Sequence, residues 1–300
     1  MRILLQFPDG LKKYALQYVH KLQADGHEVF LCACPCYGAC DLAVNEAQAI
    51  HADELVHFGH AKFPIASPIT IPVEYIVWKI DVDLENLKLT IPELSKYKRL
   101  ALATNISHIH QLLAIKEFFK SNGIEALTKK GVLPVYEGQI LGCDAFAIKI
   151  PEAEAILYIG DGMFHALTIE ETKPVYIFNP LTKEFRQIND IIERLKKKRA
   201  GAIAAALSAK VFGILVSIKP GQFHLEVAKW AKRELEKIGK TAEIIVANEF
   251  NPYSIANFSV FEAYINTACP RIIDDIDLFG KPILNPDMLE EMIKMICATK

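Results

Sequence analysis

The sequence predicts an α/β protein of three similar Rossmann-like lobes, each built on a parallel sheet. Two observations carry this. Short apolar runs alternate with segments of helical spacing, the pattern of strand–helix–strand units with right-handed crossovers. The same order of segments also returns at intervals of roughly 100 residues, too long for a solenoid repeat and suited to a domain with its own core.

Residues 3–7 read as a buried strand, followed by the loop Pro8-Asp9-Gly10. Leu11, Tyr14, Ala15, Tyr18 and Leu22 then recur at helical spacing, and Gly26 ends that helix. Residues 29–34 form a second strand, and a glycine-containing turn leads to Cys40. The second copy has a strand at 100–104, a helix at 110–119 with Leu112, Ile115 and Phe119 on one face, and Gly123 as its stop. A short strand and the run Tyr136-Glu-Gly-Gln-Ile-Leu-Gly-Cys143 follow. The third copy has a strand at 211–217, a helix marked by Leu225, Ala228, Ala231, Leu235 and Ile238, the stop Gly239 and a strand at 242–247. After a longer insert comes Asn266-Thr-Ala-Cys269.

The later parts of the copies match as well. Asp53-Glu-Leu-Val-His-Phe-Gly-His60 parallels Glu154-Ala-Ile-Leu-Tyr-Ile-Gly-Asp161, and Lys173-Pro-Val-Tyr-Ile-Phe-Asn-Pro180 has a shorter echo in Lys281-Pro-Ile-Leu-Asn-Pro286. The lobes are expected at 1–92, 93–200 and 201–300. The charged stretch 194–199 reads as the end of a linker helix with a solvated face. Ligands on such sheets bind beyond the carboxyl ends of the strands. Each of Cys40, Cys143 and Cys269 is expected there, just after the second strand of its lobe.

Composition narrows the function. The chain has 300 residues, 51% hydrophobic and 23% charged, with a formal net charge of −2. That balance gives no electrostatic case for nucleic acid as the main ligand. No apolar run approaches the roughly 20 residues of a membrane helix, and the first residues lack a signal-peptide layout. A cytoplasmic protein is expected.

The seven cysteines are Cys32, Cys34, Cys36, Cys40, Cys143, Cys269 and Cys297. An odd number in a reducing compartment argues against a disulfide framework. Cys40, Cys143 and Cys269 lie too far apart in the chain for one loop to enclose a metal. Three lobes around a central site can bring them together, and three thiolates leave a 4Fe-4S cluster with one open iron. Two plainer readings stand beside this. A free cysteine is often a small buried hydrophobe. Cys32, Cys34, Cys36 and Cys40 can form a local zinc site, because alternate strand residues share a face. The local run is not a C-x3-C-x2-C loop, since Ala43 stands where its third cysteine is needed. Cys297 reads as incidental.

Six pieces in order resemble one family: Gln6-Phe-Pro-Asp-Gly-Leu11, Tyr37-Gly-Ala-Cys-Asp41, His57-Phe-Gly-His60, Gly138-Gln-Ile-Leu-Gly-Cys143, Gly160-Asp-Gly-Met-Phe-His165 and Thr267-Ala-Cys-Pro-Arg271. Over nearly the whole length the chain resembles the archaeal diphthamide biosynthesis enzymes, the 2-(3-amino-3-carboxypropyl)histidine synthase family. The resemblance implies a homodimer of three-domain chains. It implies a 4Fe-4S cluster on Cys40, Cys143 and Cys269, and S-adenosylmethionine as co-substrate. It also implies radical transfer of the 3-amino-3-carboxypropyl group to a histidine of translation elongation factor 2, with an external electron donor. The alternative is a non-catalytic zinc or Fe-S partner subunit. The enrichment at Cys32, Cys34 and Cys36 departs from the family pattern and leaves a local second site open.

On that resemblance further residues acquire roles, each beside a plainer one. Gly38, Gly138 and Gly142 let the backbone approach the cluster or nucleoside, or simply make turns. Gly160, Asp161 and Gly162 end a strand at the binding edge; Asp161 contacts a ribose hydroxyl or the substrate amine, or caps a helix. Phe164 stacks on adenine and His165 donates a hydrogen bond. His60 contacts the methionine part or the incoming imidazole, while His57 is as readily a satisfied core histidine. Arg271 grips the substrate carboxylate, or bridges to Asp274 or Asp275. Asp9 lines the cleft or caps a helix.

Overall fold

A computed structural model describes residues 1–65 and 68–298. It contains three sheets of one connectivity. The first runs β1 (Arg2–Gln6), α1 (Ala15–Ala24), β2 (Glu28–Leu31), α2 (Val44–Ala49), β3 (Glu54–Phe58) and β4 (Val73–Ile76). Two short helices, α3 (Leu84–Leu87) and α4 (Ile91–Leu94), lead to the second: β5 (Arg99–Thr104), α5 (Leu112–Ser121), β6 (Glu125–Leu127), β7 (Ala155–Ile159), β8 (Val175–Phe178) and β9 (Phe185–Gln187). Helix α6 (Asn189–Ala206) precedes the third: β10 (Val211–Ser217), α7 (Leu225–Lys237), β11 (Thr241–Ala247), α8 (Pro252–Ala256), β12 (Ala263–Asn266), α9 (Ile276–Phe279), β13 (Ile283–Leu284) and α10 (Pro286–Ala298).

The strand orders are β2-β1-β3-β4, β6-β5-β7-β8-β9 and β11-β10-β12-β13. The first, second and third strands of each sheet therefore occupy equivalent places, and every pairing is parallel except β8 with β9. Helices on the sheet faces require central strands apolar on both sides. Strand β7 is buried at every residue, whereas the edge strand β11 alternates with exposed positions. Helix α5 lays Leu112, Ile115 and Phe119 on its sheet. Each such side chain contributes about 1.5–3 kcal/mol of hydrophobic stabilisation.

Two devices recur at strand starts and explain the repeated sequence pieces. The acidic residue opening or preceding each third strand accepts from backbone N–H groups where the first strand begins. Asp53 accepts from Arg2 at 2.6 Å, Glu154 from Lys98 and Arg99 at 2.6 and 3.0 Å, and Glu262 from Lys210. These amides hold the Glu154 carboxyl below its usual range. The Lys-Pro pairs open the fourth strand of the second and third sheets. Lys173 Nζ donates to the carbonyls of Ile150 and Pro151, and Lys281 Nζ to those of Ser259 and Phe261.

The chain divides into two compact units, Met1–Ile192 and Glu193–Lys300. The first holds two sheets and the second holds one. Among the described residues no helix is long and apolar enough to cross a membrane.

Three expectations change. Strand β2 ends at Leu31, so Cys32, Cys34 and Cys36 share no strand face: Cys32 and Cys36 are buried and Cys34 is exposed. The insert before Cys269 contains the crossover helix α8 and the third strand β12, so Cys269 follows the third strand of its sheet and not the second. The stretch 194–199 lies inside α6, and Lys198 bonds to Asp277 at 2.8 Å, so that face is not merely solvated.

Candidate functional site

In a sheet of this order the connections leave the first and third strands in opposite directions, and the crevice between their carboxyl ends is the natural ligand site. Each sheet places polar residues across it. In the first, Gln6 closes β1 and His57 lies in β3. Gln6 Nε2 donates to the Asp41 carbonyl at 2.7 Å, and its Oε1 accepts from Ala43 N–H at 3.1 Å and faces His57 Nδ1 at 2.8 Å. His57 Nε2 faces His60 Nδ1 at 3.0 Å. Burial lowers both histidines, His57 to about 3 and His60 to about 4, with the neighbouring His165 adding to the effect on His60. Both imidazoles are neutral near pH 7. His57 is fully buried, as a core histidine would be, and it carries a polar chain out to the edge.

In the second sheet, Asn105 follows β5 and Asp161 follows β7. Asn105 Nδ2 donates to Asp161 Oδ1 at 2.7 Å. Asp161 caps no helix; the next helical turn, Ala166–Thr168, opens only after His165. A side chain at Gly160 would collide with the Tyr158 hydroxyl, and Gly162 has a φ of 73°. The Phe164 and His165 rings meet edge to face, with centroids 5.3 Å apart.

Cys40 and Cys143 occupy one local structure. The Asp41 amide donates to the Gly38 carbonyl at 2.9 Å and the Asp144 amide to the Leu141 carbonyl at 3.2 Å. Each closes a four-residue turn with cysteine third and aspartate fourth. Asp144 anchors its turn by accepting from Val132, Leu133 and Phe146 N–H, which leaves Cys143 exposed at the tip. Cys40 is half-buried, and its Sγ lies 3.5 Å from where a side chain at Gly38 would begin. A methyl group at Gly142 would fall 2.6 Å from Phe164 Cζ, so glycine there lets the ring lie against the Cys143 turn. Gly138 does something else. Its φ is 73° and a side chain would strike Leu112 at 2.7 Å, so it serves the packing of α5.

In the third sheet Cys269 follows β12. Asn266 Nδ2 donates to the Cys269 carbonyl at 2.8 Å and its Oδ1 accepts from Ala268 N–H at 3.1 Å. Asn285 Nδ2 bonds to the Pro270 carbonyl at 3.0 Å. Burial raises the Cys269 thiol, while the Arg271 amide and the charges of Arg271 and Lys219 act the other way. Arg271 is 8% exposed and pairs with Asp274 at 2.5 Å, the structural alternative of the two roles expected for it. Asp9 pairs with Lys12 at 2.6 Å in the turn that opens the first helix.

Sequence reasoning missed Asn105 and Lys219, and gave Gln6 no role beyond its motif. All three stand at or just after the end of a first strand, the position that connectivity directs to the crevice.

The fold and these edges define an α/β protein with three similar, mostly parallel sheets, each presenting a cysteine outside any disulfide from a loop beyond a strand's carboxyl end. The donor set of three thiols outside any disulfide fits an iron–sulfur cluster with one open iron. Residues 7–296 match the family model for diphthamide synthesis proteins, and the chain belongs to that family. It is 38% identical over 298 residues to a 2-(3-amino-3-carboxypropyl)histidine synthase of Pyrococcus horikoshii, covering 97% of this chain and 85% of that one. A synthase of the same name from Methanocaldococcus jannaschii is 30% identical, over 98% and 84% of the two chains. The crystal structure of Dph2 from Pyrococcus horikoshii with a 4Fe-4S cluster matches with a TM-score of 0.89 at 37% identity, over 98% of this chain and 86% of that one.

Proposed function

We propose that this chain is a 4Fe-4S-dependent transferase. It moves the 3-amino-3-carboxypropyl group of S-adenosylmethionine to a histidine of translation elongation factor 2, the first step of diphthamide formation. Cys40, Cys143 and Cys269 would hold the cluster as a triad of thiolates. The observation that carries the reading is the recurrence of one cysteine outside any disulfide at the carboxyl edge of each of three similar sheets, in a chain of the diphthamide family. When bound and reduced by an external donor, the cluster would supply one electron that breaks the Cγ–S bond of the sulfonium.

The chain's own residues have separate tasks. Asp161, oriented by Asn105, accepts from a ribose hydroxyl or the substrate amine. Phe164, 47% exposed beside the Cys143 turn, offers a face for adenine. His60, neutral and held by His57, contacts the methionine part or the incoming imidazole. Arg271 neutralises Asp274 beside Cys269 and helps favour the thiolate there. A cytoplasmic homodimer completes the reading.

Anaerobic reconstitution of the wild type and of Cys40→Ala, Cys143→Ala and Cys269→Ala, with iron counting and absorbance, tests it. Dithionite and S-adenosylmethionine are then added and the products identified. The wild type should form aminocarboxypropyl-derived products, and each substitution should lose the cluster. A full cluster surviving all three substitutions, or zinc in place of iron, would refute the reading.

A further inference from the structure

The enrichment of cysteine before Cys40 finds no use in the proposed cluster, and one of those thiols has partners. Cys36 Sγ and one ring nitrogen each of His57 and His60 lie within 4.8 Å of one another, though the residues come from two separate stretches of sequence. We propose that Cys36, His57 and His60 form a second metal site, for a single zinc-class divalent cation, distinct from the three-cysteine cluster.

The hydrogen bonds prepare one ligand for this. Because Gln6 Nε2 donates to the Asp41 carbonyl, Gln6 Oε1 is the acceptor, and it also takes the Ala43 N–H. His57 Nδ1 must therefore carry the proton, which leaves the Nε2 lone pair aimed at His60. A metal-binding histidine is commonly fixed in this way, by donating its other ring N–H to a second group. His60 then carries its proton on Nδ1 in the metal-free protein. To ligate through that atom it moves the proton to Nε2, and Cys36 releases its thiol proton to solvent, so one proton leaves per cation bound. Zinc bonds of about 2.3 Å to sulfur and 2.0–2.1 Å to nitrogen place tetrahedral ligand atoms about 3.5 Å apart, which asks for a shift of about 1 Å. One thiolate and two imidazoles form a borderline-soft set suited to zinc over magnesium or calcium. Three protein ligands leave a fourth position for water or an incoming nitrogen or oxygen donor. Cys32 and Cys34 do not complete the set: Cys34 bonds to Glu46 at 3.4 Å, and Cys32, near enough to Cys36 to raise its thiol, packs in the core beside Leu42 and Val44.

The test uses the full chain carrying Cys40→Ser, Cys143→Ser and Cys269→Ser, so that cluster loading plays no part. Stripped of metal anaerobically, it is titrated with cobalt(II) and followed by thiolate-to-cobalt absorption in the near ultraviolet, with zinc(II) as competitor. One equivalent should bind. Cys36→Ser should abolish the thiolate band, and His60→Gln should weaken binding by at least about tenfold with circular dichroism unchanged. Cys32→Ser and Cys34→Ser should leave the band intact. The site is overturned if no thiolate band forms at one equivalent, if the band survives Cys36→Ser, or if it follows Cys34 instead.

Discussion

Replacing Gln6 with leucine removes a buried clasp without changing much volume. Gln6 is 1% exposed and serves three groups: the Asp41 carbonyl, the Ala43 amide and His57 Nδ1. Leucine fills the space and leaves all three unpaired where water has little access. Each orphaned buried group costs about 1–3 kcal/mol, so Gln6→Leu should destabilise the first unit by at least about 3 kcal/mol. With a urea dependence of about 2 kcal/mol per molar, the midpoint falls by about 1.5 M. The two tryptophans make the assay specific, because Trp78 lies in the first unit and Trp230 in the second. In a Trp230→Phe background, fluorescence follows the first unit alone. Adding His57→Phe to Gln6→Leu removes the orphaned His57 Nδ1–H, so the double variant should lose less than the sum of the two single variants, a coupling that separate sites would not show. A midpoint shift below about 0.5 M, or strict additivity of the two substitutions, would refute the clasp.

Acidification should destabilise the same unit. His57 falls from 6.5 to about 3 on folding, so between those values the unfolded chain binds more protons and stability drops as pH falls. Between pH 7 and pH 4 His57 alone accounts for about 3 kcal/mol; His57→Gln should flatten the pH dependence of the Trp78 transition. Gly142→Ala should force the Phe164 ring off the Cys143 turn. Because that ring is half exposed the fold should survive, while iron content after anaerobic reconstitution falls; unchanged iron would contradict the close fit. Arg271→Ala removes the nearer of two arginine partners of the partly buried Asp274, leaving Arg199 at 3.8 Å, and should cost the second unit about 1–3 kcal/mol, read by Trp230. The pair Arg271→Ala with Asp274→Ala should be less damaging than Arg271→Ala alone.

Much of the site was legible in the sequence because short-range rules wrote it there. The Cys-Asp pairs at 40–41 and 143–144 mark similar turns, each closed by the aspartate amide, with a second bond from the Leu141 amide to the Asp144 carbonyl in the later one. Asp53 and Glu154, matched by their sequence setting, proved to cap first-strand amides, since a carboxylate one strand away is the cheapest partner for an N–H at a sheet edge. Reading failed where an element was too short to have a period. Strand β12 has only four residues and followed a segment read as an insert, so Cys269 was assigned one strand too early. Strand β2 was drawn through Cys34 because Val29 to Cys32 is apolar, although the backbone leaves its partner after Leu31.

By itself the sequence determined the three-sheet α/β class, the family and which cysteine each lobe presents, because apolar periodicity and local turn chemistry act over a few residues. Only the tertiary structure decided which polar side chains meet. The fixed proton on His57, the Asn105–Asp161 bond and the gathering of Cys36 with two histidines all join strands or loops distant in the chain. Parallel pairing sets their register, and burial removes the water that would otherwise satisfy them.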